Sequence, residues 1–288
     1  LDVTLSDVEI DWEFLLQRLE RLLDLAEECL EQQLQPWQPD AELFTRSAAF
    51  WFDGDQLRFR PAVIEPEQPL LGLDAVRATL RRNLCQFAAV LPAAAVLLHG
   101  PAGGGKRTLV RTLSAELVGQ GVRLIELDEG RLPLLDGLLE QLAEVPLQFV
   151  VLVAEMPLAQ DSPARRTLLR LLAGGSGGCP ANVLLCVSSS ESLADAEARL
   201  PPACDLFGLQ LAVPALTMRQ YLELVGRLHR YHEIQLDLAS AEHLARRLAR
   251  ERGRCSGRLA AQLLAALAGS EALEQRVRAE KAAALTPG

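Results

Sequence analysis

Residues 100–108 read Gly-Pro-Ala-Gly-Gly-Gly-Lys-Arg-Thr, and these residue types in this order suit the binding of phosphate. Glycines let backbone N–H groups approach phosphate oxygens, a helix N-terminus adds partial positive charge, and a lysine reaches the outer phosphates. Gly100, Pro101, Ala102, Gly103, Gly104, Gly105, Lys106, Arg107 and Thr108 are therefore the candidate phosphate-binding set. The pattern Gly-x-x-x-x-Gly-Lys is complete from Gly100 to Lys106. The next position, where a hydroxyl would hold a Mg²⁺ ion bridging the outer phosphates, is Arg107. Arginine has no acceptor atom and cannot ligate a cation. Thr108 carries a hydroxyl, but one step along a helix turns a side chain by about 100°, so it is expected to point elsewhere. Two readings of Arg107 stand side by side. It lies against the phosphates and replaces part of the metal's charge, or it is a solvated arginine on the first helical turn.

Two further stretches bear on hydrolysis. A hydrolysing enzyme ends an apolar strand in a carboxylate that organises the metal, followed by one that orients the attacking water. Here Val150-Val151-Leu152-Val153 is followed by Ala154-Glu155. The metal-organising position is alanine, while Glu155 stands in the place of the water-activating acid. Phosphoryl transfer relies chiefly on positioning and charge neutralisation, so a base without a well-held metal is a poor catalyst. A second strand, Val183-Leu184-Leu185-Cys186-Val187, ends in Ser188-Ser189-Ser190. Ser190 occupies the position of a polar sensor for the attacking water, or is simply a polar strand-end turn.

The elements around these residues alternate. Apolar runs at 95–99, 123–127, 149–153 and 182–187 predict strands, and helical periodicity predicts helices over 106–119, 131–144 and 162–173. A further run at 209–213 is placed to close the sheet. Such alternation implies an α/β fold, a parallel sheet with helices on both faces. From Thr217 onward the pattern is helical, over 217–232, 238–252 and 256–267. Upstream, Asp53-Gly54-Asp55 between two short runs within 48–64 predicts a β-hairpin packed beside the main domain, and residues 73–90 a helix. Apolar positions at helical spacing across 4–34 predict one long amphipathic helix or a helix pair. It serves either core packing or partner docking.

Composition sets the bounds. The 288-residue chain is 49% hydrophobic and carries a net charge of −9, which disfavours a non-specific nucleic-acid partner. Its six cysteines include no Cys-x-x-Cys pair and suit a reducing, cytoplasmic setting. The acidic first 30 residues do not read as a signal peptide, and no uncharged apolar run reaches the roughly 20 residues of a membrane span.

Several blocks together resemble a bacterial family of AAA-like P-loop ATPases of unknown function, domain-of-unknown-function family 815. They are Ala49-Phe50-Trp51-Phe52 with Gly54; Leu70-Leu71-Gly72-Leu73-Asp74 with Asn83 and Gln86-Phe87; Leu91-Pro92-Ala93; Gly121 to Leu127; Pro180 to Leu184; and Ser256-Gly257-Arg258. The resemblance runs from about Ala48 to Ala268. It implies a three-layer α/β/α P-loop NTPase core with an N-terminal helical and hairpin extension, a C-terminal helical lid, and ATP or ADP as the ligand. It also implies that Arg258 reaches the γ-phosphate, against the plainer reading of a surface arginine at a helix start. The family pattern has Gly-Lys-Ser-Ser at the loop, an Asp pair after the core strand and Thr-Ser-Asn-Arg-Arg at the sensor strand. This chain has Lys106-Arg107-Thr108, Ala154-Glu155 and Ser188-Ser189-Ser190-Glu191-Ser192. The Walker motifs are thus degenerate.

The expected organisation is a helical segment and hairpin over 1–69, a P-loop core over 70–215 and a helical lid and tail over 216–288. The expected function is binding of ATP or ADP with weak or absent hydrolysis, with Glu155, Ser190 and Arg258 as the catalytic candidates and little to hold Mg²⁺. The alternative is a non-hydrolysing pseudo-ATPase that acts as a protein-interaction scaffold. Protein partners or homo-oligomers fit either reading. An AAA ring would set an arginine at a neighbour's phosphate, and Arg165, Arg166 and Arg199 are equal candidates for it, unless these charges are only a solvated face.

Overall fold

A computed structural model describes residues 17–25, 41–54, 57–60, 70–158, 161–174, 178–191 and 206–284. The chain divides into two compact units, Leu1–Gln38 and Pro39–Gly288. In the first, residues 17–25 form helix α1, with Leu19, Leu22 and Leu23 at helical spacing. The remainder of the 4–34 reading, with Cys29, lies outside the described residues, as do Ser192, Arg199 and Cys204.

The second unit is built on a seven-stranded sheet of order β2-β1-β4-β5-β6-β3-β7. The strands are β1 (Ala49–Phe52), β2 (Leu57–Arg60), β3 (Val96–His99), β4 (Val122–Asp128), β5 (Gln148–Ala154), β6 (Val183–Ser189) and β7 (Leu209–Ala212). Only the β1–β2 pair is antiparallel; β1 runs parallel to β4, and every other pair is parallel. The Asp-Gly hairpin is therefore an edge of the central sheet rather than a module beside it. Local turn chemistry predicts such a hairpin, but its docking on β4 is a long-range pairing. All seven residues of β6, and all of β5 but its first, are buried, as strands covered on both faces must be. The covering helices are α3 (Asp74–Ala88), α4 (Lys106–Glu116), α5 (Leu135–Ala143) and α6 (Pro163–Ala173). The fold is a three-layer α/β/α P-loop fold.

One core cluster joins α3 and α4 to the sheet through Leu80, Leu84, Phe87, Leu109, Leu113, Val96, Leu98, Val150 and Leu152. At the far edge α2 (Ala41–Arg46) sets Phe44 edge-on against Phe50 and Phe149, with ring centroids 5.2 and 5.0 Å apart. Two asparagines hold connections in place. The Asn83 amide donates to Ala94 O at 2.8 Å and accepts from Ala94 N at 3.0 Å, fixing the lead into β3. Asn182 Nδ2 lies within 3.1 Å of three carbonyls at the end of α5, those of Leu142, Val145 and Leu147. The helix read over 131–144 is divided: Pro133 lies in a 3₁₀ segment, Glu129–Leu134, and α5 starts only at Leu135, because proline cannot serve inside an α-helix.

Three helices form the C-terminal bundle: α7 (Met218–Tyr231), α8 (Leu238–Arg252) and α9 (Gly257–Ala284). Each starts at a side-chain cap that satisfies orphan N–H groups. Thr217 and Gln220 make a capping box for α7, Asp237 caps α8, and Ser256 Oγ accepts from Leu259 N at 3.2 Å at the start of α9. The bundle has its own core, with Tyr221, Val225, Ala245, Ala260 and Leu264 buried. Helix α9 runs well past residue 267, where the sequence reading ends it. Among the described residues no helix is long and apolar enough to cross a membrane.

Candidate nucleotide-binding site

The glycine loop joins the C-terminal end of β3 to the first turn of α4. After β3 the chain crosses to β4 and returns through β5 and β6 to β3's other side. The loop thus sits at the strand ends where the order of the sheet reverses, the usual place of a crevice in such sheets. Gly100 and Gly103 show why glycine is required. Gly100 has φ +137°, and a Cβ there would lie 2.1 Å from Val213 O; Gly103 has φ +80°, and a Cβ there would lie 3.1 Å from the Ser256 side chain. The second contact belongs to the bundle: Gly257 N donates to Gly103 O at 3.0 Å, so the start of α9 is clamped directly on the loop.

Lys106 is 3% exposed. Its Nζ donates to Gly100 O at 2.7 Å and Pro101 O at 3.1 Å. Burial holds its pKa below the ordinary lysine value; Glu155 works against that shift, and nearby Arg258 adds to it by repulsion. Two cations, one of them desolvated, thus face each other across the loop.

A cavity of ≈ 350 Å³ opens here. It is lined by the loop from Gly103 through Thr108, by Arg111, Glu155 and Arg258, and by the apolar side chains of Leu70, Leu224, Leu228 and Ala261. Such a lining combines cationic groups and backbone N–H donors with apolar surface. Thr108 also lines this cavity.

Glu155 directly follows β5 with φ +55°, a conformation disfavoured for a side-chain-bearing residue. It is held there by a hydrogen bond from its N–H to Ser188 Oγ at 3.1 Å, and Met156 N donates to Ser188 O at 2.7 Å. Its carboxylate accepts a short hydrogen bond from Ser190 Oγ. The structure therefore brings Glu155 and Ser190 into contact and places Glu155 with Lys106 and Arg258 on the same cavity.

Arg107 leans toward the end of β4. Its guanidinium is 3.8 Å from both Glu126 and Asp128. Buried Glu126 is already bound by Arg111 through both carboxylate oxygens at 2.7 Å. The donor set does not fit a Mg²⁺ ion. Arginine stands where a hydroxyl ligand belongs, Ala154 where a carboxylate belongs, and Glu126 is bound through both oxygens by Arg111. Among the described residues no group of three or more His, Cys, Asp or Glu side chains is placed to hold a metal.

The sequence reading missed Leu70, Leu224, Leu228, Gly257 and Ala261 as cavity walls. The helical i, i+4 spacing of Leu224 and Leu228 is only a core signal until the fold turns that face to the loop. Of the arginines weighed for a neighbour's phosphate, Arg166 pairs with Asp161 at 3.2 Å on the surface, while Arg165 is buried with Nε unpartnered. Burial pushes the thiols of Cys179 and Cys186 up to about 12, so neither is a nucleophile at neutral pH.

A family model described as "Protein of unknown function (DUF815)" matches residues 47–192 and 200–271. No curated protein matches the chain. Among solved structures, the Aeropyrum pernix ORC1 protein in complex with DNA is similar over 74% of this chain and 64% of its own, at 18% identity and a TM-score of 0.57. A Thermotoga maritima RuvB variant is similar over 71% and 63%, at 19% identity and a TM-score of 0.49. The Aeropyrum pernix ORC2 protein, in ADPNP–ADP complexes, is similar over 68% of each chain at 14% identity and a TM-score of 0.47. The chain spans somewhat under two thirds of the length of the first two.

Proposed function

This chain belongs to the DUF815 family, and from that premise we propose that it is an AAA-like nucleotide-binding protein that takes ATP or ADP and hydrolyses ATP weakly or not at all. The observation that carries this reading is the cavity lined by both loop and bundle, which holds the cations Lys106 and Arg258 together with the apolar Leu70, Leu224 and Leu228. In this reading the N–H groups of residues 100–108 cradle the phosphates at the start of α4. Lys106 leaves the carbonyls of Gly100 and Pro101 to bind the outer phosphates, and Arg258 binds the terminal one from the bundle. Because Gly257 is bonded to Gly103, phosphate occupancy is felt directly by α9.

Weak hydrolysis follows from the other half of the site. Glu155 is the only carboxylate left in the place of a general base, and Ser190 holds it. With Ala154 beside it in place of a metal-organising carboxylate, Glu155 has no metal to order the phosphates for attack by water. The test is phosphate release from ATP by wild type and Lys106→Ala. Slow release that Lys106→Ala abolishes supports the reading; release near a typical enzymatic rate of about 10 s⁻¹ sinks it. The same Ser190–Glu155 contact supports a second reading, a non-hydrolysing scaffold, for which wild type and Lys106→Ala release phosphate equally slowly. A cytoplasmic setting and a protein partner or homo-oligomer belong to both readings. The DNA in the ORC1 complex is that protein's ligand, and a net charge of −9 argues against carrying it over.

A further inference from the structure

We infer that Arg107 is the built-in counter-cation of this site: it takes the place of Mg²⁺ beside the phosphates, so that nucleotide binds without needing the metal. This deepens the nucleotide-binding reading and rests on it.

Arg107 is on the first turn of α4 and lines the same cavity as Lys106 and Arg258. Its side chain is 38% exposed and its guanidinium makes no hydrogen bond among the described residues; its two carboxylate contacts, at 3.8 Å, are beyond hydrogen-bond range. Arg111 instead supplies the close pair to Glu126. The planar fork of Arg107 is therefore held near the loop by charge alone, with its donors uncommitted. Such a fork matches the oxygens of a phosphate.

The carboxylates explain why a metal does not compete. β4 and β5 are in register with Asp128 opposite Ala154. The acid absent from the end of β5 thus has a counterpart one strand over, and that counterpart faces Arg107. A divalent cation beside Asp128 would lie close to the Arg107 guanidinium, 3.8 Å from that carboxylate, and like charges repel. The remaining acid, Glu155, is held by Ser190. On the cationic side, Lys106 and Arg258 repel each other until an anion lies between them. With Arg107 they bring three positive charges to bear on a phosphate chain that ordinarily shares its charge with magnesium.

The experiment is calorimetric titration of the full chain with ATP and with ADP, once in EDTA and once in excess Mg²⁺, for wild type, Arg107→Ser and Arg107→Lys. Wild type binds equally, within about twofold, in both buffers. Arg107→Ser weakens binding in EDTA by roughly tenfold or more, the loss expected for one charged hydrogen-bonding partner, while Arg107→Lys, which keeps the charge but not the fork, loses less. Wild-type binding tenfold weaker in EDTA than in Mg²⁺ overturns the inference and leaves nucleotide binding intact. Unchanged EDTA binding by Arg107→Ser, or a loss in Arg107→Lys as large as in Arg107→Ser, also overturns it. Wild type that binds neither nucleotide in either buffer refutes the underlying nucleotide reading and this inference with it.

Discussion

Replacing Lys106 by methionine separates the two states the loop is proposed to adopt. Without ligand, the change removes two charge-assisted hydrogen bonds, to Gly100 O at 2.7 Å and Pro101 O at 3.1 Å, each worth about 1.5–3 kcal/mol. It also removes a buried ammonium, whose desolvation costs several kcal/mol. The terms oppose each other and are of similar size, so the unliganded variant unfolds within about 2–4 °C of wild type, the shift that corresponds to roughly 1 kcal/mol. With ADP at a hundredfold excess over the wild-type Kd, binding stabilises wild type by about 2.7 kcal/mol, or roughly 5–10 °C. Loss of one charged contact to phosphate raises Kd up to about a hundredfold. At the same ADP concentration, RT ln 2 then leaves the variant only about 0.4 kcal/mol, a shift near 1 °C. Scanning calorimetry of both proteins with and without ADP reads all four midpoints. A full ADP shift in Lys106→Met would refute the placement of phosphate beside Lys106. A drop of more than about 10 °C without ADP would show that the lysine is a structural keystone and that the balance above is wrong.

Arg258→Ala lowers affinity for ATP about tenfold, as expected for one charged contact, and affinity for ADP much less, since Arg258 is assigned to the terminal phosphate; competition of the two nucleotides against a fluorescent analogue measures the ratio, and equal losses would remove that assignment. Because burial lowers the pKa of Lys106, the unliganded lysine gives up its proton below the ordinary value of 10.5, whereas phosphate keeps it charged. Affinity for ADP is therefore flat on the acid side of that lowered pKa and falls as pH rises through it, and the fall begins below pH 10.5; a Kd that holds steady to that pH contradicts the assignment. In the unliganded protein the sign is opposite, and the buried-charge penalty is relieved between the lowered pKa and 10.5. Tyr221 is fully buried, its hydroxyl has no partner among the described residues, and burial pushes its pKa up to about 12. Tyr221→Phe removes an unsatisfied group that costs about 1–3 kcal/mol, so the midpoint in urea rises; a lower midpoint would reveal a partner for the hydroxyl.

Local features were legible in the sequence. Strand β3, the glycine loop and α4 form one contiguous strand–loop–helix segment, and their order alone points to phosphate. What could not be read depends on which strands become neighbours. The destination of Arg107 is set by the strand order that brings the β4 carboxylates Glu126 and Asp128 beside α4. Leu70 and Leu228 lie far apart in the chain and line one cavity only once the C-terminal bundle packs beside the loop, where Gly257 N donates to Gly103 O. Glu155 was legible as an acid after an apolar strand, but its capture by Ser190 was not, because two strand ends must lie side by side for that contact. The hairpin was legible through Asp53-Gly54-Asp55, while its role as a sheet edge rests on pairing with β4.

The central claim is that this site binds ATP and hydrolyses it weakly or not at all. The direct measurement is a single-turnover trap: an excess of protein mixed with trace radiolabelled ATP, recovered by rapid filtration over an hour and resolved by chromatography. The account predicts that label is retained by wild type, is not retained by Lys106→Met, and is still recovered chiefly as ATP at the end of the first minute. Label that wild type does not retain, or that is recovered as ADP within the first minute, would contradict it.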